Sequence, residues 1–205
     1  MFFGGGNIAS KLAQLLLSLP AVLWAITFHE FCHGYAAMRL GDPTAKLDGR
    51  LSLNPLHHLD PVGALCLLLF RFGWAKPVPI NPGYFKHPKR DMVIVSLAGA
   101  AGNILTAFVC AQLVKLFPSL FQNYGAQQFI LIMIYMNVGL AVFNLIPIPP
   151  LDGSRVLYVL LPYKWLHIYH SLERYGMFII LGLIAFGILP RIMDPAMRLV
   201  LSIII

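Results

Sequence analysis

Long windows without charged residues divide the chain into segments that can cross a membrane. About 20 apolar residues, each rising 1.5 Å along a helix, cross a hydrocarbon core of roughly 30 Å. The pattern predicts spans over residues 12–38, 91–115, 128–146 and 175–190, the last short enough to require some thinning or tilt. Between the first two spans lies a polar region, residues 39–90, which we expect to include a re-entrant part.

Shorter patterns leave three segments less well defined. Residues 61–70 are apolar but too few to cross, so we expect them to be re-entrant or interfacial. The end of the chain, residues 192–205, could pack along the membrane surface or complete a last short helix. Residues 46–53 alternate polar and apolar positions around Asp48-Gly49, which predicts a small β-hairpin, with an irregular loop as the alternative.

The composition agrees with a membrane protein. Of the 205 residues, 59% are hydrophobic and 11% are charged, whereas soluble domains have roughly 45–50% apolar and about 25% charged residues. So few charged side chains cannot cover a soluble globule, which excludes a soluble enzyme and a disordered chain. The sequence therefore predicts an all-α polytopic membrane protein, with residues 1–205 forming a single membrane-embedded domain.

The basic charge balance indicates an orientation in the membrane. The chain has 15 Lys and Arg against 8 Asp and Glu, a net charge of +7. Without a basic stripe or a stacking motif, we expect no nucleic acid partner. Eleven of the basic residues fall in 39–90 and 155–174, and four fall elsewhere. Because basic loops stay inside, these two regions are predicted to face the cytoplasm, with the plasma membrane as the expected location.

The segment with the clearest chemistry is His29-Glu30-Phe31-Cys32-His33, near the end of the first apolar window. Positions i and i+4 of a helix face the same way, so both imidazoles can reach one metal ion. Glu30 can then deprotonate a water at the metal. The alternative is a set of incidental polar residues in a packed helix, but ionisable groups in lipid are costly and are therefore functional candidates.

Two histidines leave a zinc ion short of one protein ligand. The remaining candidates are His57, His58, His87, His167, His170 and the six aspartates. After three crossings, the segment from Asn144 to Gly153 returns to the same side as His33, and its prolines break the third helix where Asp152 occurs. Asp152 is therefore the best-placed carboxylate, although it could instead be the N-cap of a following helix.

Two motifs give the chain a resemblance to a known family. His29-Glu30-x-x-His33 and Asn144-x-x-Pro147-x-x-x-Leu151-Asp152-Gly153 resemble those of the site-2 protease family of intramembrane zinc metalloproteases. The resemblance implies a core of three helices around one zinc per chain, with additional C-terminal helices. It implies His29, His33 and Asp152 as metal ligands and Glu30 as the catalytic base.

The resemblance extends to further polar residues. Asn144 could donate a hydrogen bond to the substrate or the developing oxyanion, or it could serve only to break the helix. Ser96–Asn103 corresponds to a small-residue stretch of the family, but Ala100 stands where many members have proline. Its glycines favour close helix packing, and Asn103 could line the cleft. His57 and His58 could bind a second metal or cap the site, or they could be interfacial histidines in a turn.

The function that we expect is hydrolysis of peptide bonds in transmembrane or membrane-anchored protein substrates. The 46–53 hairpin could hold an unwound substrate by strand addition. The expected partners are a membrane protein or peptide substrate and the lipid bilayer, and a regulatory membrane partner is a further candidate. A metal-binding membrane transporter and a non-catalytic scaffold are the alternative functions.

Overall fold

The computed structural model describes residues 8–63, 66 and 75–205, and helices form most of this part of the chain. In chain order, the main helices are α1 (Ile8–Arg39), α2 (Thr44–Leu47), α3 (Pro88–Leu116), α4 (Tyr124–Asn144), α5 (Asp152–Leu160), α6 (Leu166–Ala185) and α7 (Ile188–Ile204). The only strand-like pairing among the described residues is an isolated antiparallel bridge between Leu59 and Ala75. The predicted all-α fold class is confirmed.

Three of these helices are long and apolar enough to cross a membrane. They cover Leu16–Arg39, Pro88–Leu116 and Tyr124–Asn144, and they overlap the first three predicted spans. Within the described residues, α6 and α7 would count as a fourth crossing only if the two bent helices formed one span.

Helices α1, α3 and α4 pack against one another in pairs and form the central bundle. Alanines at the contact, including Ala21, Ala107 and Ala141, are completely buried. Small side chains let the helix backbones approach closely, which is how helices commonly associate in a bilayer. This close approach brings polar side chains of three different helices into one buried layer.

The predicted β-hairpin at 46–53 is wrong. The structure instead has the short helix α2, closed by Gly49 at φ +65°. The Gly49 amide donates to the Lys46 carbonyl and the Arg50 amide donates to the Ala45 carbonyl, which is the Schellman pattern of a helix C-terminus. The Asp-Gly pair therefore does place a residue at positive φ, but it ends a helix rather than joining two strands.

The predicted fourth span, residues 175–190, differs from the structure because it contains a sharp break. Helix α6 ends at Ala185, and α7 begins at Ile188 at an angle of 84°. Gly187, at φ +64°, is the residue that allows the turn. Helix α7 includes the ambiguous end of the chain and packs along α4.

The remaining ambiguous segment, residues 61–70, lies mostly outside the described residues.

Helix α4 ends at Asn144, just before the prolines that were expected to break it. The loop that follows leads directly into α5, which begins at Asp152. This connection carries Asp152 back to the central bundle.

Candidate active site

Helix α1 carries its two histidines on the face that packs against α3. His29 and His33 are one helical turn apart and almost completely buried. Their Nε2 atoms lie 3.0 Å apart, and the ring planes are nearly perpendicular, at 87°. The spacing of four residues thus brings both rings to a single point.

Asp152 reaches the same point from α5. Its Oδ2 atom lies 3.0 Å from Nε2 of His29 and 3.0 Å from Nε2 of His33. These three atoms therefore form a nearly equilateral triangle, although Asp152 is 123 residues away from His29 in the sequence. Among the described residues, this is the one group of at least three His, Cys, Asp or Glu side chains close enough to hold a single metal ion.

Two glycines allow the loop that carries Asp152 to fold tightly. A Cβ atom at Gly153 would collide with the carbonyl group of Leu145, and one at Gly176 would collide with the carbonyl group of Pro149. Gly176 belongs to α6, so this C-terminal helix supports the loop from outside the central bundle. The position of Asp152 therefore depends on close backbone contacts on both sides of the loop.

Hydrogen bonds on the far sides of the rings determine which nitrogen atoms are free. Nδ1 of His33 lies 2.7 Å from the Val95 carbonyl oxygen, which can only accept, so Nδ1 carries the hydrogen. Nδ1 of His29 lies 2.7 Å from Oδ1 of Asn103 and donates in the same way. In neutral rings, both Nε2 atoms then present lone pairs towards Asp152. Three such atoms repel one another unless a positive charge lies among them.

The donor set fits a zinc ion. Two imidazole nitrogens and one carboxylate oxygen are ordinary zinc ligands, and catalytic zinc sites commonly have three protein ligands and one open position. An ion about 2 Å from each donor, the usual zinc–ligand distance, is compatible with a triangle of this size. The outer hydrogen bonds from Nδ1 also match the way that metal-binding histidines are usually held.

The Asp152 carboxyl group is held in its charged form. Burial alone would raise its pKa, but when the His29 and His33 rings are protonated, their hydrogen bonds to the carboxylate and their positive charge lower the pKa well below its usual range. Metal ligands of this kind must be deprotonated. The carboxylate is therefore in the form that a metal requires at neutral pH.

Gly99 of α3 provides the space for the two histidine rings. A Cβ atom at this position would lie 2.5 Å from Nε2 of His33 and 2.7 Å from Nε2 of His29. The glycines of this stretch were expected to serve close helix packing. Gly102 does so against Cys32, whereas Gly99 faces the Nε2 atoms of His29 and His33, so any larger residue there would displace the histidine rings.

Glu30 is half-buried beside the histidines and is held by the polar region. The Val78 amide donates to Oε2 of Glu30 at 2.9 Å. The Arg50 guanidinium holds this part of the chain, because it donates to the carbonyl groups of Lys76, at 2.6 Å, and Pro77, at 3.2 Å. One oxygen of the Glu30 carboxylate thus has a fixed partner, and the loop around Val78 forms part of the site.

A cavity of about 390 Å³ opens beside Glu30 and His29. Asn144 lines it, and its Nδ2 donates to the Leu140 carbonyl at 3.0 Å, which leaves a second amide hydrogen. The cavity wall is mostly apolar and includes Ile26, Pro77, Phe143, Met177 and Ile180. His29, Glu30 and Asn144 therefore share one mostly apolar cavity, and His29 connects it to Asp152.

The other histidines lie away from this cluster. Nδ1 of His57 contacts the Gly49 carbonyl at 3.1 Å, and Nε2 of His58 contacts the Ser52 carbonyl at 2.8 Å. His170 lies 3.6 Å from Glu173. Neither His57 nor His58 belongs to a metal-ligating group in the part of the chain that the structure describes.

Sequence reasoning missed Asn137 and the loop around Val78. Asn137 is completely buried and accepts a hydrogen bond from Asn103. Asn103, which was expected to line the cleft, instead holds His29. One signal could have identified Asn137, because it is a polar residue in an uncharged window, seven residues or two helical turns before Asn144. No local signal connects Val78 with Glu30.

Comparison with known proteins gives the family. The family model described as Peptidase family M50 matches residues 112–186, which include Asn144 and Asp152. A protein of Methanocaldococcus jannaschii named "Putative zinc metalloprotease MJ0611" is 30% identical over 149 residues, 69% of this chain and 69% of that protein. The chain belongs to peptidase family M50.

Two further relatives are similar over part of their length. "Putative zinc metalloprotease YwhC" of Bacillus subtilis is 43% identical over 144 residues, 67% of this chain and 66% of that protein. "Putative zinc metalloprotease Rip2" of Mycolicibacterium smegmatis is 32% identical over 155 residues, 72% of this chain and 58% of that protein. The chain thus spans less than two thirds of these two relatives. No solved structure gives a significant match.

Family membership and the helices together identify the class of protein. M50 is the site-2 protease family that the two sequence motifs resemble, so the predicted family is confirmed. With three helices of spanning length and composition, the chain is a multi-pass membrane protein.

Proposed function

We propose that the chain is an intramembrane zinc metalloprotease that hydrolyses peptide bonds of transmembrane or membrane-anchored proteins. The observation that carries this proposal is the convergence of His29, His33 and Asp152 on one point, with Glu30 next to it. We assign the first three residues as the ligands of one zinc per chain. The relatives carry the name "putative zinc metalloprotease", which supports the choice of metal.

The chain's own residues divide the remaining tasks. When bound, zinc supplies a Lewis acid and lowers the pKa of a water towards about 7. Glu30 would take a proton from the water that attacks the substrate carbonyl carbon, and would pass it to the nitrogen of the leaving amine as the peptide bond breaks. The Val78 amide holds Oε2 of Glu30, and we assign the proton transfer to Oε1. We assign the second amide hydrogen of Asn144, which is not used in its bond to Leu140, to the substrate carbonyl, where negative charge develops.

An apolar chamber suits a substrate that comes from the membrane. The cavity holds about 390 Å³, enough for a short length of extended chain rather than a whole helix. A transmembrane substrate must therefore unwind locally before its peptide bond reaches Glu30. The wall formed by Pro77 and the residues of α4 and α6 then contacts apolar substrate side chains.

We infer that the chain lies in the plasma membrane with the His33 end of α1 near the cytoplasm. The basic residues of 39–90 and 155–174 support this orientation. The lipid bilayer and the membrane substrate are the expected partners, and a membrane protein that regulates access to the cavity is a further candidate.

A transporter would also use polar residues inside a membrane protein. Against it, Glu30 lies beside a three-ligand site and is held by the backbone of a loop, which is an arrangement for a base rather than for a permeation path. A non-catalytic scaffold would have no need for Glu30 and for the open cavity beside it. The cleavage test below separates both alternatives from a protease.

The test is zinc analysis combined with cleavage of a candidate membrane substrate by wild type and Glu30→Gln. We expect Glu30→Gln to keep its zinc and lose cleavage, because the amide cannot accept the proton. Glu173→Gln is the matched control, since Glu173 is the only other glutamate of the chain and lies on the exposed surface of α6. Equal cleavage by wild type and Glu30→Gln would refute the proposal.

A further inference from the structure

Two buried carboxamide side chains connect the three helices of the central bundle to His29. Asn103 of α3 and Asn137 of α4 are both completely buried. Nδ2 of Asn137 donates to the Met133 carbonyl at 2.8 Å, and Oδ1 of Asn137 accepts from Nδ2 of Asn103 at 2.8 Å. Nδ2 of Asn103 also donates to the Ala25 carbonyl at 2.9 Å, and its Oδ1 lies 2.7 Å from Nδ1 of His29.

The series of hydrogen bonds from Asn137 through Asn103 to His29 can run in only one direction. Backbone carbonyls of Met133 and Ala25 accept and cannot donate, so each must face an amide nitrogen. The Asn137 oxygen then faces Asn103, and the Asn103 oxygen faces His29. Reversing either amide would set two acceptors against each other, which costs about 1–3 kcal/mol for each unsatisfied buried group. Two contacts therefore determine which atom Asn103 presents to His29: the Ala25 carbonyl of α1 directly, and the Met133 carbonyl of α4 through Asn137.

We propose that Asn137 is a positioning residue for the metal site. Through Asn103, it keeps the hydrogen of the His29 ring on Nδ1 and leaves Nε2 free to bind the ion. This inference rests on the proposed zinc site, but it concerns a residue that touches neither the metal nor a metal ligand. Substitution of a residue that directly holds a metal-binding histidine typically lowers the metal affinity about 10- to 100-fold.

A pair of substitutions, one that keeps the acceptor and one that removes it, tests the direction of these hydrogen bonds. In Asn137→Asp, the carboxyl group offers an oxygen to Asn103 in either protonation state. In Asn137→Leu, the acceptor is lost and only the Ala25 carbonyl still holds the Asn103 nitrogen, so the amide turns towards His29 at a lower cost. With the protein in detergent, competition with a chromophoric chelator should show zinc affinity close to wild type for Asn137→Asp and about tenfold weaker for Asn137→Leu, the lower end of the range for direct partners of a ligand.

Thr106→Val is the control for a general loss of packing. Thr106 of α3 is also buried, and its hydroxyl donates to the Gly102 carbonyl at 3.1 Å. It takes no part in the hydrogen bonds that lead from Asn137 to His29. We expect its zinc affinity to match wild type. Should Asn137→Leu fail to fold, Asn137→Ala removes the same acceptor without added bulk, and we expect the same loss of affinity.

The outcomes separate this inference from the proposed function. Wild-type affinity in Asn137→Leu, or in Asn137→Ala, would overturn the role of Asn137 while leaving the zinc site intact. An equal loss in Asn137→Leu and Thr106→Val would overturn it too, because the effect would then be one of packing. A wild-type protein that binds no zinc would instead refute the proposed function.

Discussion

Gly99→Ala should remove the metal site while leaving the bundle folded. The new methyl group would lie 2.5 Å from Nε2 of His33 and 2.7 Å from Nε2 of His29. Non-bonded heavy atoms normally stay about 3.5 Å apart, so one or both rings must move by roughly 1 Å. Zinc–ligand distances tolerate about 0.2 Å, so this displacement is several times too large for coordination.

The cost to folding should be much smaller than the cost to metal binding. Inserting a methyl group into a packed interior typically costs about 1–3 kcal/mol. Because at least one of the two histidines is displaced from the site, zinc affinity should fall by more than the ~100-fold that loss of an outer partner can cause. The assay is chelator competition for zinc, with helical content and thermal unfolding measured on the same sample.

Gly102→Ala is the matched control on the same helix. Its methyl group would press on Cys32 and Phe28 rather than on a histidine. We expect a similar loss of thermal stability with zinc affinity retained, and Cys32→Ala should relieve the crowding. A folded Gly99→Ala protein that binds zinc as tightly as wild type would show that the three-atom site is not where the metal binds.

Two further substitutions test the supports of the site. Arg50→Lys should lower the rate of cleavage about tenfold at unchanged zinc content, because an ammonium group cannot replace the guanidinium that holds the loop beside Glu30. The loss of one charged hydrogen bond, worth ~1.5 kcal/mol, corresponds to that factor. An unchanged rate of cleavage would contradict this role of Arg50. Gly176→Ala should weaken zinc binding, because the new methyl group would push away the loop that carries Asp152. Gly182→Ala is the control on the same helix: it has no described neighbour within 4 Å and should bind zinc normally. Equal zinc affinities of the two variants, measured by chelator competition, would show that Gly176 does not support the loop.

The helices and the cluster of His29, His33 and Asp152 could be predicted because their signals are either long or chemically specific. A hydrocarbon core requires about 20 apolar residues, so charge-free windows locate α1, α3 and α4. A helical turn brings His29 and His33 together without any knowledge of the rest of the fold. Counting crossings was enough to bring Asp152 to the same side.

The errors share one cause, which is a glycine at positive φ. Both Gly49 and Gly187 end a helix, but the surrounding residues suggested a hairpin in one case and an uninterrupted span in the other. A local sequence pattern indicates that a turn is present, but which elements the turn joins depends on the packing around it. In the same way, the contact of Val78 with Glu30 spans 48 residues and depends on how the polar region folds back.

Zinc binding by Asp152→Ala tests the central claim most directly. Asp152 joins the site from a distant helix, and its Oδ2 atom is 3.0 Å from each histidine. Equilibrium dialysis should give one zinc per wild-type chain and a large loss of affinity in Asp152→Ala at unchanged helical content. Tight, stoichiometric zinc binding by folded Asp152→Ala would contradict the account, because two histidines alone would then hold the metal.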